Sequence, residues 1–140
     1  MFEYDKIFEK YEQMTFDERK ELLEDLSLKV VPEIMPIPNG IEAFKIIVRA
    51  ACAADGDLQG AEYTLIASAL GFDSGYENTR ATVKDNADLM IRLADAAVDV
   101  FGTLSDDIKA AMVAICLCIV SADRQVNLKE RSFIKKLIKM

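Results

Sequence analysis

The 140-residue sequence contains no histidine, and this absence excludes several classes of function. Histidine is the usual base of nucleophilic triads and the commonest metal ligand in proteins. Histidine-based triads, proton relays and zinc sites are therefore excluded. The sequence also has no glycine-rich phosphate loop and no cysteine in a reactive-looking setting. An enzyme would have to work through carboxylates such as those of Asp55 and Asp57, and we expect the protein not to be an enzyme.

Cysteine is scarce, with three residues in the chain, Cys52, Cys116 and Cys118. All three fall in apolar segments with helical character. An odd number of cysteines without a disulfide-like framework is typical of reduced thiols in a cytoplasmic protein. Cys116 and Cys118 do not form half of a metal site, because residues two apart point away from each other on a helix. We expect all three to pack in the core.

Positive charge and long hydrophobic runs are also limited. The chain has 17 basic and 24 acidic residues, with a formal net charge of −7. Nucleic acids and anionic lipid surfaces demand a dominant positive field. The longest apolar run is shorter than the roughly 20 residues of a membrane span, and the N-terminus has no signal-peptide core. We expect a cytoplasmic protein that binds no nucleic acid and does not span a membrane.

The three prolines all lie within residues 32–40, PEIMPIPNG, which predicts an extended connector there. The second helix is then expected to end at Val31, with Ile34, Met35 and Ile37 against the core. Apolar residues elsewhere recur with helical spacing, and no window alternates with period two. The sequence therefore predicts an all-α fold, a compact single-domain bundle of about 7–8 helices.

The most apolar segment spans residues 110–122, AAMVAICLCIVSA. A helix without a polar face is typically surrounded by the other helices of a domain. Ser105 precedes this segment and is a good N-cap, as is Thr15 in the capping box Thr15–Glu18. We therefore expect a buried central helix. The helix before it is expected to be amphipathic, with an inward face made of Leu89, Leu93, Ala96, Ala97, Val100 and Phe101.

Two segments of the chain are similar to each other at an offset of 68 residues. Each consists of an apolar helix, an acidic turn and an amphipathic helix, which suggests a duplicated helix-turn-helix unit. The matched residues are Asp55 with Asp123, Leu58 with Val126, Glu62 with Glu130, Ile66 with Ile134 and Ala69 with Leu137.

The turns in residues 53–62, AADGDLQGAE, and 121–130, SADRQVNLKE, resemble those of the tellurite-resistance TerB-like family. That family has two turns of the form A-x-D-G-x-[hydrophobic]-x-x-x-E in a compact helical domain. The first turn fits closely, whereas the second has Arg124 in place of the glycine and Gln125 at the second acidic position. The resemblance covers about residues 41–140, with residues 1–40 as an added helical pair and connector packed on that domain. It implies a setting of stress and metal-oxyanion resistance.

Acidic residues of the two turns form the candidate metal site. Carboxylate oxygens are the ligands that Ca²⁺ and Mg²⁺ prefer. The pattern is not an EF-hand, because the twelfth position counted from Asp55 is Ile66 and not a glutamate. The candidate ligands are Asp55, Asp57, Glu62, Asp123 and Glu130.

The same residues also fit a purely structural interpretation. Asn127 and Glu130 have capping-box spacing, and Gln59 and Glu62 form a poorer version of it. The cation of Arg124 could neutralise the second turn without a metal. The two interpretations of the turns remain open at this stage.

The alternative function is that of a metal-free helical adaptor that binds a protein partner or another copy of the chain. Its binding surface would lie on the N-terminal pair or on the proline-rich connector. Residues 1–33 carry ten acidic and five basic residues, whereas residues 124–140 carry six basic residues and one acidic. The acidic segment could dock on the basic helix of a second copy.

Overall fold

The computed structural model describes residues 2–54, 60–70, 75–102, 104–122, 126 and 128–138, with side chains from residue 6 onward. These residues form α-helices and no β-strand, in agreement with the predicted all-α class. The helices of the described ranges are α1 (Phe2–Glu12), α2 (Phe16–Ile34), α3 (Gly40–Ala53), α4 (Gly60–Leu70), α5 (Tyr76–Val100), α6 (Asp106–Val120) and α7 (Leu128–Ile138).

The start of α2 confirms the predicted capping box. Oγ1 of Thr15 accepts a hydrogen bond from the backbone N–H of Glu18 at 3.2 Å. Oε1 of Glu18 in turn accepts one from the N–H of Thr15 at 2.8 Å. These two bonds satisfy donors that the first helical turn leaves without intrahelical partners.

The predicted end of α2 at Val31 is wrong, because the helix continues through Pro32 to Ile34. Proline lacks an N–H and removes its own helical hydrogen bond. The ladder nevertheless resumes, since the N–H of Met35 donates to the carbonyl of Val31 at 3.0 Å. Ile34 is buried as expected, whereas Met35 points away from the core and is exposed.

The chain reverses tightly between α2 and α3. Asn39 has a left-handed backbone with φ of 62°, and α3 begins at the next residue, Gly40. A Cβ atom on Gly40 would overlap the backbone carbonyl oxygen of Ile34. Only glycine allows this close approach of the two helix ends.

The central position of α6 is confirmed. Residues 115–120 are all buried, so the helix has no exposed face in that part. Oγ of Ser105 caps its start by accepting from the N–H of Ile108 at 3.3 Å. The helices α1, α2, α3, α4 and α7 all contact α6, which makes it the common core of the molecule.

The prediction that Leu89 and Leu93 of α5 face inward is wrong. Ala94 and Ala97 are buried, whereas Leu89 and Leu93 are exposed. Small side chains allow the backbones of packed helices to approach closely, and α5 uses its alanines in its extensive packing against α3. The helix also bends at Asn86, whose φ of −127° and ψ of 23° are not helical.

No helix within the described ranges is long and apolar enough to cross a membrane. The fold that emerges is a helical bundle in which α6 occupies the middle.

Candidate functional site

The structure describes two of the five candidate metal ligands. Asp55, Asp57 and Asp123 lie outside the described residues, together with Arg124 of the second turn. Glu62 and Glu130 are described. Each lies in the first turn of its helix, α4 or α7.

Both described glutamates are buried, with 1% of Glu62 and 2% of Glu130 exposed to solvent. A carboxylate in the first turn of a helix is stabilised by the helix macrodipole. Each side chain also interacts with other groups of the protein. The structural interpretation of the turns assigns each glutamate to a capping box. The proposed caps, Gln59 and Asn127, lie outside the described residues.

Acidic and thiol side chains of the described residues do not gather into a metal-binding group. No set of three or more cysteine, aspartate or glutamate residues among them has the necessary proximity. A site formed by Asp55, Asp57 and Asp123 is not addressed by this finding, because these three residues are outside the described ranges.

A buried arginine links α2 to the turn that follows α6. Arg19 is 1% exposed, and its Nη1 donates a short hydrogen bond to Oγ of Ser121. Its Nη2 donates to the backbone carbonyl of Glu12 at 3.3 Å. Oγ of Ser121 donates in turn to the carbonyl of Leu117 at 2.6 Å. The second turn is therefore connected to α2 and to the end of α1 through one guanidinium.

A second set of polar contacts holds the other end of the same turn. Oε2 of Glu12 accepts a hydrogen bond from the N–H of Val126 at 2.8 Å and lies 3.6 Å from Nη2 of Arg131. Nε of Arg131 donates to the carbonyl of Val126 at 2.8 Å. The guanidinium carbon of Arg131 also lies 4.9 Å from the centre of the Phe8 ring, within cation–π distance. Glu12 and Arg131 thus fix both backbone groups of Val126.

Sequence analysis did not identify Arg19, Glu12 or Arg131 as residues of this turn. For Arg19 a signal existed, since it stands four residues before the buried Leu23 on the inward side of α2. Long charged side chains commonly lie along apolar surface and keep the charged group in solvent. The position of Arg19 on the inward side of α2 was therefore not enough to predict that its guanidinium is buried. The contacting residues of α1 and of 126–131 are more than 100 positions apart in the sequence. No local pattern predicts such contacts.

The cysteines pack as expected, since all three are buried and none forms a disulfide. Burial, and then the nearby Cys118 sulfur, raise the pKa of Cys116 to about 12. Burial raises the pKa of Cys118 to about 12 as well, although the positive charge of Arg19 acts in the opposite direction. The thiolate is the nucleophilic form of cysteine. Cys116 and Cys118 therefore remain protonated and unreactive near neutral pH.

Tyr11 of α1 lies close to Cys118. Burial, and then the charge of Cys118, raise its pKa to about 12. Its phenol group is therefore neutral across the physiological pH range. Together with Phe8, Tyr11 gives α1 an aromatic face toward the core.

The fold and the turn contacts define an all-helical bundle whose N-terminal helices brace the turn after its central helix. In comparisons with known proteins, no protein-family model, no curated protein and no solved structure matches the chain.

Proposed function

We propose that the protein is a small TerB-like helical domain of a stress response, and that it binds a protein partner through the outer face of α2. The observation that carries the proposal is an exposed apolar stripe on that helix. Leu28 is 75% and Met35 66% exposed, and the exposed Pro32 stands between them. Positions 28, 32 and 35 lie on one side of a helix, opposite the buried Leu23 and Val30. Contiguous exposed apolar residues commonly mark interaction sites.

The charges around the stripe indicate the chemistry of the partner. Glu21, Glu24 and Asp25 are exposed and precede Leu28 on the same side of α2. Lys29, at the edge of the stripe, is paired with Asp107 of α6, with Nζ 2.7 Å from Oδ2. A partner that fits this face is an amphipathic helix, with apolar residues against Leu28 and Met35 and basic residues against the acidic half.

A photo-crosslinking amino acid at position 28 tests this proposal. Leu128 of α7 is the matched control position, since it is even more exposed, at 82%. We expect crosslinks from position 28 to one partner segment that contains both apolar and basic residues. Reversing the acidic charges, with Glu21→Lys and Glu24→Lys, should lower the yield, and added salt should do the same.

Two results would count against the proposal. Equal crosslinking from positions 28 and 128 would show that exposure alone explains the yield. A partner segment rich in acidic residues would contradict the charge argument. If the crosslinked segment is α7 of a second copy, Leu89 of α5 replaces position 128 as the control, because it is exposed and lies outside α7. A dimer in sedimentation that Leu28→Ser abolishes would then identify the occupant as another copy of this chain.

The duplicated unit that underlies the TerB-like resemblance has support in the burial of matched side chains of α4 and α7. Glu62 and its match Glu130 are both buried, as are Ile66 and its match Ile134. We infer that α3–α4 and α6–α7 are two copies of one helical hairpin.

A divalent cation is the second candidate function, and the burial of Glu62 and Glu130 at the ends of the two acidic turns favours it. Carboxylates that are brought together repel one another by about 1 kcal/mol per pair at 4 Å, even at the dielectric constant of water. A bound Ca²⁺ or Mg²⁺ would relieve this repulsion and stabilise the folded state.

Thermal melting with and without metal tests the cation site. Saturating Ca²⁺ or Mg²⁺ should raise the melting temperature, and Asp55→Asn should abolish the rise. Asp88→Asn on α5 removes an exposed charge elsewhere and should leave the rise intact. Melting that does not change at saturating metal would leave the turns with only their structural role.

A further inference from the structure

A cleft opens between α3 and α5 on the side of the bend at Asn86. Its volume is about 330 Å³, and it is lined by Arg49 of α3 and by Asn78, Thr79, Thr82 and Met90 of α5. Pockets for small ligands begin at roughly 300 Å³. The bend is supported locally, since Nδ2 of Asn86 donates to the carbonyl of Thr82 at 3.2 Å.

Arg49 gives the cleft an available positive charge. Its side chain is exposed, and it forms no ion pair or hydrogen bond with any described residue. The nearest acidic residue on its side of α3 is Glu42, which pairs with Lys45 at 3.9 Å. Arg49 and Lys45 are four residues apart and therefore neighbours on the helix surface. Among the described lining residues of the cleft, Arg49 is the one that carries a charge.

Thr82 gives the cleft a hydrogen-bond acceptor. Its hydroxyl group donates its single hydrogen to the backbone carbonyl of Asn78 at 2.9 Å. A threonine oxygen retains two lone pairs after donating, so the remaining capacity of Thr82 is to accept. Met90, which also lies on α5, adds an apolar side chain to the lining of the cleft.

We propose that this cleft binds a small hydroxylated organic anion, in which a phosphate or carboxylate group pairs with Arg49 and a hydroxyl group donates to Thr82. An arginine guanidinium matches the two oxygens of such a group in a bidentate pair. The carbon skeleton between the two groups lies against Met90. The site is independent of the partner surface on α2 and of the acidic turns.

Glycerol phosphate is the probe, with glycerol and inorganic phosphate as matched controls, and the readout is NMR titration of the labelled protein. Glycerol phosphate should give saturable shifts at the amides of residues 78–82 and at the Arg49 side chain, and glycerol should give none. Arg49→Gln should weaken binding by about tenfold or more, whereas Arg92→Gln on α5 should not change it. Thr82→Val should weaken binding of glycerol phosphate and leave that of inorganic phosphate unchanged.

The amide spectrum of each variant also shows whether the variant is folded. We expect all variants to fold, because Arg49 and Thr82 are exposed. Three results would overturn the proposal. The first is the absence of saturable shifts at residues 78–82 with glycerol phosphate. The second is an equal loss in Arg49→Gln and Arg92→Gln, which would indicate attraction by net charge. The third is equal weakening of both phosphates by Thr82→Val, which would contradict the hydroxyl contact.

Discussion

Arg19 lies on the inward side of α2, and its guanidinium reaches Ser121 at the end of α6 and the carbonyl of Glu12. Buried polar groups need hydrogen-bond partners, because an unsatisfied group retains the full penalty of leaving water. One side chain thus joins three segments that are distant in sequence. At the scale of single residues, this contact holds the start of the second turn against α2.

Replacing Arg19 by methionine preserves much of the side-chain volume but removes both hydrogen bonds. We expect Arg19→Met to lower the free energy of unfolding by about 1–3 kcal/mol, since Ser121 and the Glu12 carbonyl lose a donor. Urea denaturation followed by circular dichroism measures this change. Arg92→Met on the exposed side of α5 is the control and should stay within about 0.5 kcal/mol. Equal effects of the two substitutions would show that the Arg19 contacts contribute nothing specific.

Local sequence rules predicted single residues well where the interaction is local. Thr15 with Glu18 and Ser105 with Ile108 have the expected caps, because both partners lie within one helical turn. Met35 and Arg19 were not predicted correctly. Their positions depend on which side of α2 faces α4 and α6, and that is decided by tertiary packing rather than by neighbours in sequence.

At the scale of elements, the bent helix α5 shows where the hydrophobic pattern fails to predict which side chains are buried. This helix is interrupted at Asn86, where the backbone is not helical. Leu89 and Leu93 were expected to face inward but are exposed, whereas Ala97 and Phe101 are buried as expected. Hydrophobic character alone does not decide burial here, because tertiary packing against α3 sets which side of α5 faces the core.

Two substitutions in α5 test this orientation. Leu93→Ala should change the free energy of unfolding by no more than about 0.5 kcal/mol, because the leucine is nearly half exposed. Ala97→Leu should lower it by about 1–3 kcal/mol, because the larger side chain would be forced into the tight contact with α3. Chemical denaturation of both variants measures these changes in the free energy of unfolding. The reverse order of effects would mean that the leucines face the core.

At the scale of the whole molecule, α6 is the structure around which the other helices are arranged. Its apolar character along residues 110–122 was sufficient to predict its central position, since a helix without a polar face has to be covered. The candidate turns were recognisable from their acidic residues and helix boundaries. The contacts that brace the second turn were not, because they join α1 and α2 to residues 121–131 and only the folded chain brings these together.

The central claim is that α2 and α6 belong to one cooperative unit, so that the apolar stripe of α2 is a fixed surface. Native-state hydrogen exchange tests this most directly. We predict that the amides of Leu23 and Val30 on α2 and of Ile115 and Ile119 on α6 exchange only through global unfolding. All four should then give the same free energy and the same denaturant dependence as the unfolding transition. Exchange of the α2 amides at a clearly lower free energy, with a smaller denaturant dependence, would contradict the claim.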